Sequence, residues 1–167
     1  KKKQMLMLMV VVLLAANMRA PFTGVGSLTT LIRADLGVSN TVMGLLTTIP
    51  MVVFAVVSLL ATPISRRIGL GRTLTWALAL ILIGELVRSF TNTAGLFLGT
   101  GLLCVGIGLE NVLLVSLIKL RFADNPAPAT SAYSTTMALT TAISIGIGVW
   151  LAQDVGLGWR GALAIWA

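Results

Sequence analysis

Four charged side chains fall inside otherwise apolar stretches of this sequence: Arg19, Glu85, Arg88 and Glu110. A charge held at the middle of a bilayer costs about 2.5–3.5 kcal/mol on insertion scales, so such residues pair with one another or line a wet cavity. Arg19 is the first choice for a ligand contact. Its guanidinium is permanently charged and offers a planar fork of donors suited to small planar anions. Thr23 lies one turn further along the same helical face and can add a hydroxyl, while Asn17 and Pro21 occupy the neighbouring face. The competing reading is that Arg19 pairs with Glu110 or snorkels to an interface. Glu110 is the carboxyl suited to bind and release a proton as its access to water changes. It also has a bland reading, as the counter-charge of Arg19. Asn111 can bond a ligand or join two helices. Glu85 and Arg88 are spaced for a local ion pair within one helix, a structural or gating role.

These residues are held by a series of apolar segments. The spans predicted are Leu6 to Leu31, Val42 to Ile64, Thr73 to Phe90, Gly95 to Ile118 and Ser131 to Leu151, with a sixth starting near Trp159 and stopping at Ala167. At about 1.5 Å per residue each complete run is long enough for a hydrocarbon core of about 30 Å. No alternating pattern of a membrane barrel is visible, so the segments are read as helices. Counting along them places Arg19, Glu85 and Glu110 near mid-depth and Arg88 closer to one face. Pro21, Gly24 and Gly26 suggest a flexible or broken first helix. Ser39 or Asn40 is expected to cap the second helix, Thr91-Asn92-Thr93 to form a short hinge, and Asp124-Asn125-Pro126-Ala127-Pro128 to break the chain before the fifth span. Gly99, Gly101, Gly106 and Gly108 in the fourth span, with Gly146 and Gly148 in the fifth, are expected to let helices approach closely. The hydroxyls of Ser131, Ser134, Thr135, Thr136, Thr140 and Thr141 are expected mainly to satisfy their own helix.

Composition narrows the function classes. The chain is 57% hydrophobic and only 10% charged, with a mean hydropathy of +1.00. A soluble domain carries about 25% charged residues, so a soluble fold is excluded. The net charge of +7 is not gathered in a patch, and aromatics are only 6%, which argues against nucleic acid. With no histidine and the single Cys104, thiolate and imidazole metal sites and histidine-based catalysis are excluded. No cofactor, metal or enzymatic activity is expected. Gly106 and Gly108 resemble a fragment of a nucleotide motif but have no preceding strand, so the fragment fails as a phosphate loop. Lys1, Lys2, Lys3, Arg66, Arg67, Arg72, Lys119 and Arg121 fall on one side of the alternating topology, against Arg33, Arg88 and Arg160 on the other. Positive residues stay inside, so the amino terminus is expected in the cytoplasm. The absent initiator methionine and the end within an apolar segment suggest half of a larger fold.

The connection after the second span reads Thr62-Pro63-Ile64-Ser65-Arg66-Arg67-Ile68-Gly69-Leu70-Gly71-Arg72. It resembles the cytoplasmic signature of the major facilitator superfamily through Arg67, Gly69 and Arg72. Thr62 and Arg66 depart from it, Arg66 standing where the family has the acid of its gating ion pair. The stretches NMRAPFTGVGSL, GLLTTIP, LVRSF, NVLLVSLIKLRF and LGWRGAL look like the cyanate/2-nitroimidazole transporter family. That resemblance implies twelve helices in two pseudosymmetric halves, alternating access, and family-typical positions for Arg19, Arg88 and Asn111.

The expected fold is therefore an all-α membrane protein, residues 1–167 forming the six-helix amino-terminal half of a major-facilitator-type transporter, with five complete spans and the start of a sixth. The expected function is secondary active transport of a small anionic or planar polar solute such as cyanate. Arg19, Thr23, Asn17 and Asn111 would bind it, Glu110 would carry a proton, and the carboxy-terminal half and the lipid bilayer would be partners. The alternatives are an exporter of nitroaromatic or amphiphilic toxicants, and a non-transporting scaffold or half-size homodimer. A channel is disfavoured because no repeated filter segment is visible.

Overall fold

A computed structural model of the chain describes residues 2–90 and 92–166, the Lys3 side chain excepted. Lys1, the Lys3 side chain, Thr91 of the expected hinge and Ala167 at the expected end of the sixth span lie outside the described residues. The elements are α1 (Lys2–Leu36), α2 (Asn40–Ile68), α3 (Leu70–Phe90), α4 (Thr93–Arg121), α5 (Ala127–Gln153) and α6 (Gly158–Ala164). Among the described residues there is no strand. Five of the helices are long and apolar enough to cross a membrane, as the apolar runs predict.

The helices overrun those apolar runs by several residues at many of their ends, because a helix continues until the backbone is forced out of it. Gly37 leaves α1 at φ 62° and Gly69 leaves α2 at φ 92°, conformations that cost a side-chain-bearing residue. Ser39 caps α2 by accepting from the Val42 N–H at 3.3 Å. Asn92 does the same for α4, accepting from the Gly95 N–H at 3.1 Å. Part of the expected hinge is thus a helix cap. Pro126 opens α5, where its missing N–H is harmless.

Pro21, Gly24 and Gly26 do not break α1, contrary to expectation; the helix runs through them. Pro21 removes one donor from the ladder, and neighbouring helices bond this stretch from outside. Ser144 of α5 donates to the Ala20 carbonyl at 3.0 Å, and Arg88 of α3 donates to the Pro21 carbonyl at 2.5 Å. The proline turn is held from two sides.

The centre of the bundle is α4, whose buried residues run from Gly95 to Ile118. One apolar cluster near the amino-terminal end joins Val11, Leu14, Leu113, Leu114 and Ala129. Another near the opposite end joins Leu28, Ile32, Leu46, Leu96 and Leu163. Close packing of α3 on α4 is made by glycines. A Cβ on Gly84 would lie 2.6 Å from the Gly99 carbonyl oxygen, and one on Gly106 would lie 2.5 Å from that of Ala77. Gly108 approaches Val57 of α2, and Gly148 approaches Ser27 of α1. Gly101 and Gly146 are a correction: a Cβ on either meets nothing within 4 Å. The bare glycine count does not tell a packed face from an open one.

At the end carrying the α1–α2 and α5–α6 turns, the Trp159 indole N–H donates to Asp35 at 2.9 Å. Arg160 lies 3.7 Å from the same carboxylate and 4.7 Å from the Trp159 ring centre. These contacts tie α6 to the end of α1.

Candidate functional site

Arg19 sits half-buried at the middle of α1. With Tyr133, Ser134, Met137, Ala138 and Thr141 of α5 it lines an open cavity of about 570 Å³. It also joins Phe22, Phe54, Ile107, Asn111 and Met137 around a small adjoining recess of about 30 Å³. Four of the six helices converge on this one guanidinium. Its Nε is buried without a hydrogen-bond partner. No ion pair joins it to Glu110 or to any other acid among the described residues. The counter-charge reading is therefore not what the bundle builds.

The other expected contacts divide. Asn111 does reach the Arg19 recess, and its Oδ1 accepts a hydrogen bond from the Tyr133 hydroxyl at 3.1 Å. That bond joins α4 to α5, as the helix-joining reading of Asn111 has it. Thr23 does not reach the recess. Its hydroxyl donates to the Arg19 carbonyl at 2.9 Å, and it lines a separate cavity with Arg88. Asn17 is not among the residues lining the Arg19 cavities; its Oδ1 is buried without a partner. Tyr133 was not a candidate, although it is the sole tyrosine and lies among hydroxyl residues. That isolation was the available signal.

Glu110 is 0% exposed, and neither carboxyl oxygen has a hydrogen-bond partner. It follows Leu109 on the packed side of α4, while Asn111 turns toward the recess. Consecutive residues on a helix differ by about 100° in direction. A buried carboxyl without donor or cation is costly when charged, so its position requires an explanation beyond packing.

Glu85 and Arg88 form the expected pair, at 2.6 Å between Glu85 Oε2 and Arg88 Nη2. The residues are 0% and 1% exposed. Neither Glu85 oxygen makes a hydrogen bond of good geometry, so the contact is chiefly electrostatic. Arg88 also binds the Pro21 carbonyl, which makes the pair a strut from α3 to the proline turn of α1.

Gly69 forms the whole connection between α2 and α3. Its N–H donates to the Ser65 carbonyl at 2.9 Å, and its own carbonyl accepts from the Thr73 N–H at 3.0 Å. Arg66, Arg67 and Arg72 are exposed around this turn. Arg66 and Arg67 close α2, where cations favour the helix dipole. None of the three has an ion pair among the described residues.

The sequence profile of the Major Facilitator Superfamily matches residues 5–167. An uncharacterized transporter of Bacillus subtilis, YycB, is 42% identical over 156 residues, covering 93% of this chain and 39% of that protein. The 2-nitroimidazole transporter of Escherichia coli is 40% identical over 162 residues, 97% of this chain and 41% of its own length. The cyanate transport protein CynX of Escherichia coli is 32% identical over 162 residues, 96% of this chain and 42% of its own length. The chain thus spans about two fifths of the length of the curated relatives it matches. No solved structure matches it.

Proposed function

Because the chain belongs to the major facilitator superfamily, we propose that it works as the amino-terminal half of a secondary transporter that moves a small anionic or planar polar solute by alternating access. The observation that carries this reading is Arg19: a permanent cation at mid-bundle, without an acidic partner among the described residues, opening on a cavity. A cation so placed attracts a small anion because no acidic partner among the described residues neutralises it, and charge–charge attraction strengthens as water is excluded. Asn111 lines the recess, and Tyr133, whose hydroxyl donates to Asn111, lines the adjoining open cavity, so each side offers polar groups to a solute. The names of the two Escherichia coli relatives support a small, flat solute.

Glu110 is the proposed proton carrier. It lies one residue from Asn111 and has no donor or cation to hold its charge. Rocking that opened α4 to water would let it exchange a proton. The proposed setting is the inner membrane of a bacterium with the amino terminus in the cytoplasm, and a carboxy-terminal half packed on this one.

The test is uptake of radiolabelled cyanate into proteoliposomes containing the full-length protein. Arg19→Ala is expected to weaken the apparent affinity by about 10- to 100-fold, which is about 1.4–2.8 kcal/mol, with Arg19→Lys intermediate because the fork is lost while the charge remains. Wild-type cyanate uptake by monodisperse Arg19→Ala contradicts the reading. Absence of any solute movement by the wild type favours the scaffold instead.

A further inference from the structure

Arg19 of α1 and Asn111 of α4 line the same recess, whose volume of about 30 Å³ leaves room for little more than one water-sized group. An amide carbonyl beside a guanidinium is drawn to it as an acceptor, because hydrogen bonds from a charged donor are the stronger kind. Asn111 is exposed, so little packing opposes rotation of its amide. Yet no hydrogen bond joins these two side chains among the described residues. Arg19 Nε stays buried without a partner.

The group that occupies the carbonyl is Tyr133 of α5, whose hydroxyl donates to Asn111 Oδ1 at 3.1 Å. The ring behind that hydroxyl packs on two apolar clusters at once, one around Leu113 and Leu114 and the other around Met18 and Ile107. Its hydroxyl is therefore carried at a fixed place. With Oδ1 held by the tyrosine, the Asn111 amino group keeps both its donors without a partner among the described residues. Arg19 and Asn111 thus meet across the recess with donors uncommitted on both sides. Two sets of positive hydrogens around one small space disfavour each other until an acceptor enters.

We propose that Tyr133 is a positioning residue for anion binding: its hydroxyl holds the Asn111 carbonyl off Arg19, so that the guanidinium keeps its donors for the solute. Without that hold, the amide turns and caps the cation from within the protein. A site already arranged to donate spends none of the solute's attraction on moving the amide aside. The inference rests on the anion reading of Arg19 and adds to it the group that keeps the cation uncapped.

The experiment is equilibrium binding of radiolabelled cyanate to the full-length protein in lipid nanodiscs. Tyr133→Phe removes the hydroxyl and leaves the ring in its two clusters, so packing survives and the hold on Asn111 is lost. It is expected to weaken cyanate about three- to tenfold, the scale of one net hydrogen bond. The distinguishing arm repeats the change in Asn111→Leu, which has no carbonyl to turn onto Arg19 and keeps measurable binding because Arg19 remains. There Tyr133→Phe is expected to alter binding by less than about twofold, which a purely structural tyrosine would not do. Tyr133→Leu serves in both backgrounds if Tyr133→Phe does not yield monodisperse protein. Equal weakening in the two backgrounds, or none in either, overturns the positioning role while Arg19→Ala still loses cyanate. Cyanate binding that is absent in the wild type, or unchanged in Arg19→Ala, removes the anion reading and this inference with it.

Discussion

At the scale of single residues, the bundle treats its four intramembrane charges in three ways. Arg19 opens on a cavity, Glu85 and Arg88 neutralise each other, and Glu110 is sealed without a partner. Each treatment has its own consequence. Truncating Arg88 leaves Glu85 buried with no counter-charge, so Arg88→Ala is expected to destabilise the protein by about 3–5 kcal/mol, read as loss of monodisperse protein on heating. Glu85→Gln combined with Arg88→Met is expected to recover most of that stability, because it removes both charges together. If the double variant melts no higher than Arg88→Ala, the strut to Pro21 matters more than the pair. For Glu110, replacement by Gln keeps shape and removes the titrating proton. Accumulation driven by an imposed pH gradient is expected to disappear in Glu110→Gln, while exchange at equal pH on both sides continues. Accumulation that survives the substitution removes Glu110 from coupling. The identities of all four charges were legible in the sequence because apolar surroundings make them conspicuous. Their partners were not, since a 3.6-residue period places a side chain on a face of its own helix but says nothing about which helix meets that face. Thr23 shows the limit: it shares the Arg19 face, yet bonds the backbone and opens on the other cavity.

At the scale of elements, the α3–α4 contact is the tightest in the bundle, because glycines replace side chains where two backbones meet. Lipid supplies no hydrophobic drive between helices, so such close packing is a main source of association. Gly106→Leu would push a side chain into the Ala77 carbonyl and Ile81, and a destabilisation of about 1–3 kcal/mol or more is expected from overpacking. Gly101→Ala, on the same helix with nothing within 4 Å, is expected to stay within about 0.5 kcal/mol of wild type. A thermal-shift comparison of the two variants checks the assignment, and equal melting would undo it. Spans were readable from hydropathy because water and lipid punish opposite errors. Helix ends were less so: apolarity ends at the membrane, whereas the helix ends at a cap or a positive-φ glycine such as Gly37 or Gly69. The apolar run from Leu6 to Leu31 passes through Pro21, but the bracing of α1 there was not readable, because its bonds come from Ser144 and Arg88, far away in the chain.

At the scale of the whole molecule, α2 and α5 leave broad apolar surfaces exposed, with Met51, Val52, Val56 and Leu59 on one and Leu139, Ile143, Ile145 and Ile147 on the other. Such surfaces belong against lipid or against further helices, consistent with a chain that spans two fifths of its relatives. Among the described residues the bundle holds one cation without an acidic partner, Arg19, on a central cavity, and one neutralised by Glu85, Arg88. Transport of an anion past Arg19 requires that this position open to water. The most direct measurement is thiol accessibility of Arg19→Cys in the full-length protein, with Cys104 replaced by Ala and any cysteines elsewhere in the protein removed, using a charged reagent that does not cross membranes. Modification from one side of the membrane, slowed by a conservatively sized anion such as nitrate or cyanate, is the result predicted. A thiol at this position that no charged reagent reaches from either side would contradict the claim.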